Sequence, residues 1–278
     1  MSVLLFTCIL LIGAIAAGLV GALTGLGGGV VLIPLLTLIF DVDIRYAIGC
    51  ALVSSIATSS GSAAAYIREG ITNIRIGMFL EIATTTGAIV GALIAVYMPT
   101  NIVAVIFGLV LLFSALMALR KKNEEADTVE RSTLARALKL NGTYTSPTGA
   151  VDYKVQRVMG GYSLMTLAGI ISGLLGIGSG ALKVLAMDTV MRIPFKVSTT
   201  TSNFMIGVTA AASAVVYLQR GYIDPDLAMP VVIGVLIGAF AGSKILVRAD
   251  VKKLRLLFSI VIGFLALEMI YNGLTGKL

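Results

Sequence analysis

The chain of 278 residues contains no histidine and no tryptophan, and its only cysteines are Cys8 and Cys50, far apart in sequence. Without imidazole or a CxxC pair it lacks the usual means of building a zinc site, a disulfide framework or a thiol relay. Charge is also scarce: Asp, Glu, Lys and Arg make up 13% of residues, against about 25% in a soluble domain. Apolar side chains fill the space instead, at 58% of the chain with a mean hydropathy of +1.00. An ordinary cytosolic enzyme, a disordered chain and a nucleic-acid-binding module are excluded by this composition. It places the protein in a lipid bilayer as an all-α integral membrane protein. The net charge of +7 then reads as the basic excess of cytoplasmic loops. No cofactor is implied.

Asp41 is the first charged residue. Residues 3–24 have no basic segment before them and resemble a later stretch, so they are predicted to form a retained helix and not a cleaved signal. A glycine cluster follows, Gly25-Leu26-Gly27-Gly28-Gly29, and then a short apolar run from Val30 to Phe40. Further spans are predicted near 46–67, 76–97 and 100–119. Residues 120–157 break the pattern with eight basic and five acidic side chains. They are predicted to be a polar connector, with a surface helix over 128–140 because Leu134 and Leu138 lie one turn apart. The expected organisation is a first transmembrane repeat at 1–119, the connector at 120–157 and a second repeat at 158–278.

The repeat shows at an offset of 151 residues, without gaps from about 17 to 94. Gly25, Gly27 and Gly29 meet Gly176, Gly178 and Gly180; Thr58 meets Thr209; Tyr66 and Gly70 meet Tyr217 and Gly221; Gly87 and Gly91 meet Gly238 and Gly242. Self-similarity of this kind marks a duplicated structural unit. Its orientation follows from the basic residues. With four crossings per half the halves are parallel, and Lys plus Arg divide 12 inside to 8 outside. If the chain reverses at each glycine cluster, the second half is inverted and the division is 17 to 3. The inverted arrangement is therefore expected. It has ten helical segments, both termini outside, the connector inside, and a location in the cytoplasmic (inner) cell membrane.

The run Val30–Phe40 rises only about 17 Å as a helix, against a hydrocarbon core of about 30 Å. It and its copy at 181–191 are expected to be half-helices whose N-termini meet near the midplane, as in transporters built from broken helices. Such ends present free N–H groups and partial positive charge. Glycine lets the backbone approach a ligand closely. Gly25, Gly27, Gly28 and Gly29, with Gly176, Gly178, Ser179 and Gly180, are thus candidate contacts for a small anion. The alternative role is helix packing, which is the expected role of the isolated Gly87 and Gly91. Lys183 lies one turn into the second half-helix, where its repeat mate is Leu32. It is a candidate charge for the anion, or a partner for Asp188, Glu81 or Glu268. Thr200, Thr201, Ser202 and Asn203 are candidate hydrogen-bond donors, or helix-to-helix bonds. Glu81 and Glu268 are candidates for a coupled proton, or solvated acids near the membrane surface.

Gly25-Leu-Gly-Gly-Gly29 followed by Val-Val-Leu-Ile-Pro34, and Gly176-Ile-Gly-Ser-Gly180 followed by Ala-Leu-Lys183, resemble the duplicated signature of the TauE/SafE family of sulfite exporters and related permeases. The stretch Thr201-Ser-Asn-Phe-Met205 is similar to the segment that follows in that family. Ser179 and Leu185 depart from its usual Gly and Pro. The resemblance implies a carrier of a small sulfur-containing oxyanion such as sulfite, sulfoacetate or thiosulfate, often moved outward. An anion channel, a carrier of another small organic anion and a carrier of a neutral or cationic solute are the rival readings. An intramembrane enzyme would need a nucleophile–base pair or metal cluster that these residues do not supply. Small-residue faces suit a homodimer as well as packing within one chain.

Overall fold

The computed structural model describes residues 3–24, 28–68, 70–119, 132–146, 149–246 and 251–276. Gly25, Gly27 and the connector residues 120–131 lie outside them. The architecture is all-α across the apolar parts of the chain, as lipid demands: a helix satisfies its own backbone where no water can. In order come α1 (Val3–Thr24), α2 (Gly29–Pro34), α3 (Ile44–Arg68), α4 (Ile74–Tyr97) and α5 (Thr100–Leu119). A short α6 (Thr133–Ala137) and a hairpin of β1 (Gly142–Ser146) and β2 (Gly149–Tyr153) precede α7 (Val158–Leu175). Then follow α8 (Gly180–Leu185), α9 (Phe195–Gln219), α10 (Pro225–Leu246) and α11 (Val251–Thr275). Among the described residues, five of these helices are long and apolar enough by composition to cross a membrane: α1, α4, α7, α9 and α10.

The duplication holds element by element. An offset of 151 carries both bounds of α2 onto α8 and of α3 onto α9, and the end of α1 onto the end of α7. Both short helices widen into a π-helical turn, Leu35–Ile39 and Ala186–Val190. Pro34 lies in the first copy and Leu185 in the second, so the widening belongs to the repeat and not to proline. Pro194 caps the start of α9. Gly70 and Gly221 take left-handed φ of 68° and 73°, and their N–H groups bond back to Ile67 and Leu218. Each ends its long helix in the conformation that glycine adopts without a Cβ penalty.

The halves interleave: α1 packs along α10 and α4 along α7, while α3 lies against α9 and α5 against α11. Glycines close the first two seams. A Cβ on Gly18 would strike the Val235 backbone, one on Gly238 the backbone of Ile15 and Leu19, one on Gly91 that of Ile170, and one on Gly173 that of Ala88. Gly87 likewise abuts Thr166 and Gly169, so it and Gly91 are the packing positions the sequence suggested. The order of these contacts makes α1 parallel to α10 and α4 parallel to α7. Equivalent helices run in opposite directions. Gly49 near the start of α3 meets Tyr222 just past α9, while Ser59 meets Asn203 and Gly207. Gly108 of α5 meets Ala266 and Ile270 of α11, and Ser259 meets Ala115.

These directions sort the polar residues between the two ends of the bundle. One end holds Arg45, which donates to the Met98 carbonyl at 3.2 Å and lies over Tyr222, and Arg220, which lies over Tyr97. The other end holds Arg75, Arg157, Arg192, Lys196 and the folded part of the connector. There Asn73 caps α4 and donates its Nδ2 to the Leu140 carbonyl (3.1 Å) and the Tyr153 hydroxyl (2.8 Å). Tyr153, Leu140 and Val155 are buried in a second apolar cluster with Ile76, Leu80 and Met191. Burial pushes the Tyr153 hydroxyl above the ordinary tyrosine range. The helix expected over 128–140 is confined to 133–137 where described. Its buried side chain is Ala135, and Leu134 and Leu138 are exposed. The tight turn at Lys139, in the left-handed region at φ 51°, stops the helix, and the neighbouring cluster has room for a small side chain on that face.

Candidate functional site

The short helices α2 and α8 begin halfway along the long helices beside them. Gly28 and Gly29 abut Thr58 and Ser55 in the middle of α3, and Gly178 abuts Ile206 in the middle of α9. Ser202 donates its hydroxyl to the Gly180 carbonyl at 3.3 Å. The two glycine clusters also meet: a Cβ on Gly29 would lie 3.0 Å from the Gly176 oxygen. Ala51 Cβ and Ser55 Oγ lie beside the same point, and the backbone at the start of α2 comes close to the Gly176 backbone that leads into α8.

A small cavity opens there, with room for about one water-sized sphere. Val30 of α2, Ile177, Ser179 and Gly180 at the start of α8, and Ser114 of α5 line it. Ser179 is 2% exposed, and its Oγ has no hydrogen-bond partner. Its φ of 47° is left-handed, which explains why a glycine suits this position and what the serine departs from. Two further buried polar atoms near the helix starts lack partners: Ser55 Oγ, beside Gly29, and Asn203 Oδ1, whose Nδ2 donates to the Ala22 carbonyl at 3.4 Å. A buried polar atom without a partner costs about 1–3 kcal/mol, and such atoms concentrate where a ligand supplies the missing bond.

Lys183 is completely buried. Its side chain runs to α9, where Nζ donates to Thr209 Oγ1 at 2.5 Å. The Thr209 hydroxyl donates in turn to Glu81 Oε1 on α4 at 2.6 Å, and Thr85 donates to the same oxygen at 3.1 Å. Glu81 is 7% exposed, and its Oε2 has no partner. Of the acids named as partners for Lys183, Glu81 is the one the fold supplies, through a hydroxyl bridge. Glu81 is buried rather than solvated at the surface, because α7 and α9 both pack over α4. Glu268 is exposed on α11.

The polar run of α9 divides. Ser202 and Asn203 reach the helix starts. Thr200 and Thr201 turn the other way: Thr200 donates to the Ile71 carbonyl at 3.3 Å, and Thr201 Oγ1 accepts from the Asn73 N–H at 3.1 Å. In this conformation they tie the α3–α4 junction to α9. Sequence reasoning missed Thr209 and Ser55. Thr209 was visible as the repeat mate of Thr58, but its place between two ions depends on how α4 packs on α9.

Helices interleaved around two broken segments, with buried unpaired polar atoms at their meeting point, define a multi-pass membrane transporter that handles a small substrate. Residues 9–269 match the family model described as sulfite exporter TauE/SafE, and the chain belongs to that family. It is 28% identical over 273 residues to the "Probable membrane transporter protein YunE" of Bacillus subtilis (strain 168), covering 96% of this chain and 98% of that one. It is 27% identical over 229 residues to "Probable membrane transporter protein YdhB" of the same organism, covering 82% and 85%. It is 24% identical to "Probable membrane transporter protein MJ0441" of Methanocaldococcus jannaschii, covering 96% of each. No solved structure matches the chain.

Proposed function

We propose that the protein is a secondary carrier that moves a small sulfur-containing oxyanion, of the sulfite, thiosulfate or sulfoacetate class, outward across the cytoplasmic membrane. The anion binds where the starts of α2 and α8 meet, accepting hydrogen bonds from the first-turn backbone N–H groups and from Ser179. Gly28, Gly29, Gly178 and Gly180 let backbone come up to it, and Ser55, Ser202 and Asn203 complete the polar surroundings. The observation that carries this reading is the buried Ser179 hydroxyl, without a partner at the start of α8 where the two glycine clusters meet. Helix starts favour negative charge, and the lining offers no carboxylate to a cation.

The antiparallel crossing of α3 with α9 and of α5 with α11 supports reading residues 1–119 and 158–278 as inverted repeats. The scarcity of basic residues at the Arg45 and Arg220 end supports placing that end and both termini outside. The connector then lies inside. In this reading substrate access alternates as one half rocks against the other.

The test is thermal unfolding of detergent-purified protein with sulfite, thiosulfate, sulfoacetate, sulfate, phosphate and neutral solutes. An anion at 100 times its Kd stabilises the folded state by about 2.7 kcal/mol. Stabilisation by one sulfur oxyanion, weakened in Ser179→Ala, is expected. A flat response to every anion overturns the reading.

A further inference from the structure

Glu81 accepts two hydroxyl donors on Oε1, while Oε2 is buried without any. Lys183, fully buried, makes a single hydrogen bond through Nζ among the described residues, to the Thr209 hydroxyl. Each ion is the other's compensation, and among the described residues the Thr209 hydroxyl bridges them. Two other ionisable side chains on the elements packed against them have partners of their own. Tyr162 of α7 stacks on Phe79, and Tyr217 of α9 bonds to the Gly173 and Leu174 carbonyls. Arg75, Arg157 and Lys196 sit at the helix ends, and Asp188 lies in the π turn after α8.

We infer that Glu81 and Lys183 form one coupling site, in which an anion taking the Lys183 ammonium obliges Glu81 to take a proton on Oε2, so that one proton travels with each anion bound. This rests on the anion-carrier reading. When the ammonium swings from Thr209 to an anion, an ionised Glu81 is left in a low-dielectric interior with no cation beside it. Protonation removes that cost. The proton fits the bare oxygen, and the hydroxyls of Thr209 and Thr85 remain bonded to the other. When the anion leaves, the ammonium returns to Thr209 and the proton departs. No bond other than the O–H is made or broken. Lys183 lies one turn from Gly180 in the same half-helix.

Infrared difference spectroscopy of the full-length protein in detergent tests this in two arms, reading the C=O band of a protonated carboxyl. The first arm needs no anion. Lys183→Met is expected to show a protonated-carboxyl band at neutral pH that wild type lacks, and Lys183→Met with Glu81→Gln is expected to lose it. Absence of the band in Lys183→Met overturns the coupling, whatever the substrate. The second arm adds thiosulfate or sulfite to wild type. Appearance of the band, lost in Glu81→Gln, with uptake of one proton per anion bound, is the expected result. An anion that raises Tm without raising the band overturns the coupling but leaves the carrier reading standing. If the first arm succeeds but no anion raises Tm, the carrier reading fails and the coupling falls with it.

Discussion

The two halves share a backbone but not a centre. Lys183, Thr209 and Glu81 have repeat mates at Leu32, Thr58 and Val232. Around α8 the three positions form a chain of hydrogen bonds between two buried ions. Around α2 the same positions hold two apolar side chains and a threonine that bonds within its own helix, to the Ser54 carbonyl at 2.9 Å. Leu32 is as completely buried as Lys183. The half-helix, its π turn and its seat against the long helix are therefore compatible with an apolar filling. What the fold requires there is volume, and the ions are an addition to it. Buried ion pairs are commonly neutral or destabilising relative to apolar replacements of similar size.

The sharpest way to break this comparison is to remove one ion at a time. Glu81→Leu leaves the Lys183 ammonium buried without compensation and is expected to destabilise the protein by about 3–5 kcal/mol. Lys183→Met is expected to cost less, because Glu81 escapes by protonation. The double variant, which copies the chemistry of the first half, is expected to recover wild-type stability to within about 1.5 kcal/mol. Thermal denaturation of the three variants decides it. A double variant as unstable as Glu81→Leu would mean that the ions hold α4, α8 and α9 together.

The glycine seams test the opposite claim, that away from the centre the halves are equivalent. Gly91 and its mate Gly242 both abut the backbone of a neighbouring helix. Gly91→Val and Gly242→Val are each expected to cost about 3 kcal/mol by overpacking, whereas Gly263→Ala, with open space around it, is expected to be neutral or slightly stabilising. Melting temperatures that separate Gly91→Val from Gly242→Val by as much as either differs from wild type would sink the equivalence.

A smaller effect concerns Gly28 and its mate Ser179. The glycine has an ordinary helical φ of −66°, and the serine takes the left-handed one of 47°. Ser179→Gly is expected to relieve about 1 kcal/mol of backbone strain while weakening anion stabilisation. A melting temperature that falls would show that the hydroxyl matters to the empty fold. The smallest effect lies in the connector, which has no counterpart in the duplication. Tyr153 is held neutral by burial, so its folded ionisation lies above the unfolded one. Its contribution is complete below about pH 10 and is lost as pH rises beyond it. Tyr153→Phe is expected to flatten that alkaline loss of stability and to cost about 1 kcal/mol at neutral pH through the Asn73 bond. An unchanged alkaline limb in the variant would assign the loss to another group.

Much of the fold was legible because its cause is local. The offset of 151 and the short run after each glycine cluster follow directly from residue order, and α2 and α8 have matching bounds as a result. Gly70 and Gly221 stood out in the alignment because a left-handed helix end selects glycine. The site was legible in composition and less so in arrangement. Ser179 and Ser202 lie beside the start of α8 and Lys183 one turn into it, with its ammonium on Thr209 of α9, but periodicity does not say which way a threonine or a lysine turns. Thr200 and Thr201 face Ile71 and Asn73 because of how the α3–α4 junction lies across α9, a long-range fact absent from their own segment. Burial of Glu81 was hidden for the same reason: counting turns from a helix end takes no account of a neighbour's height.

The seam between α1 and α10 also has a consequence in time. α1 is complete at Thr24 and its partner only at Leu246. At about 5–20 residues per second, a ribosome takes roughly 10–45 s to make the chain between them. For that interval the small-residue groove of α1 that receives α10 is turned to lipid, where α1 is stable as a helix but lacks this partner. A chain stalled before residue 225 therefore presents an open groove to any passing helix. The seam of α1 with α10 therefore closes long after α1 itself is made.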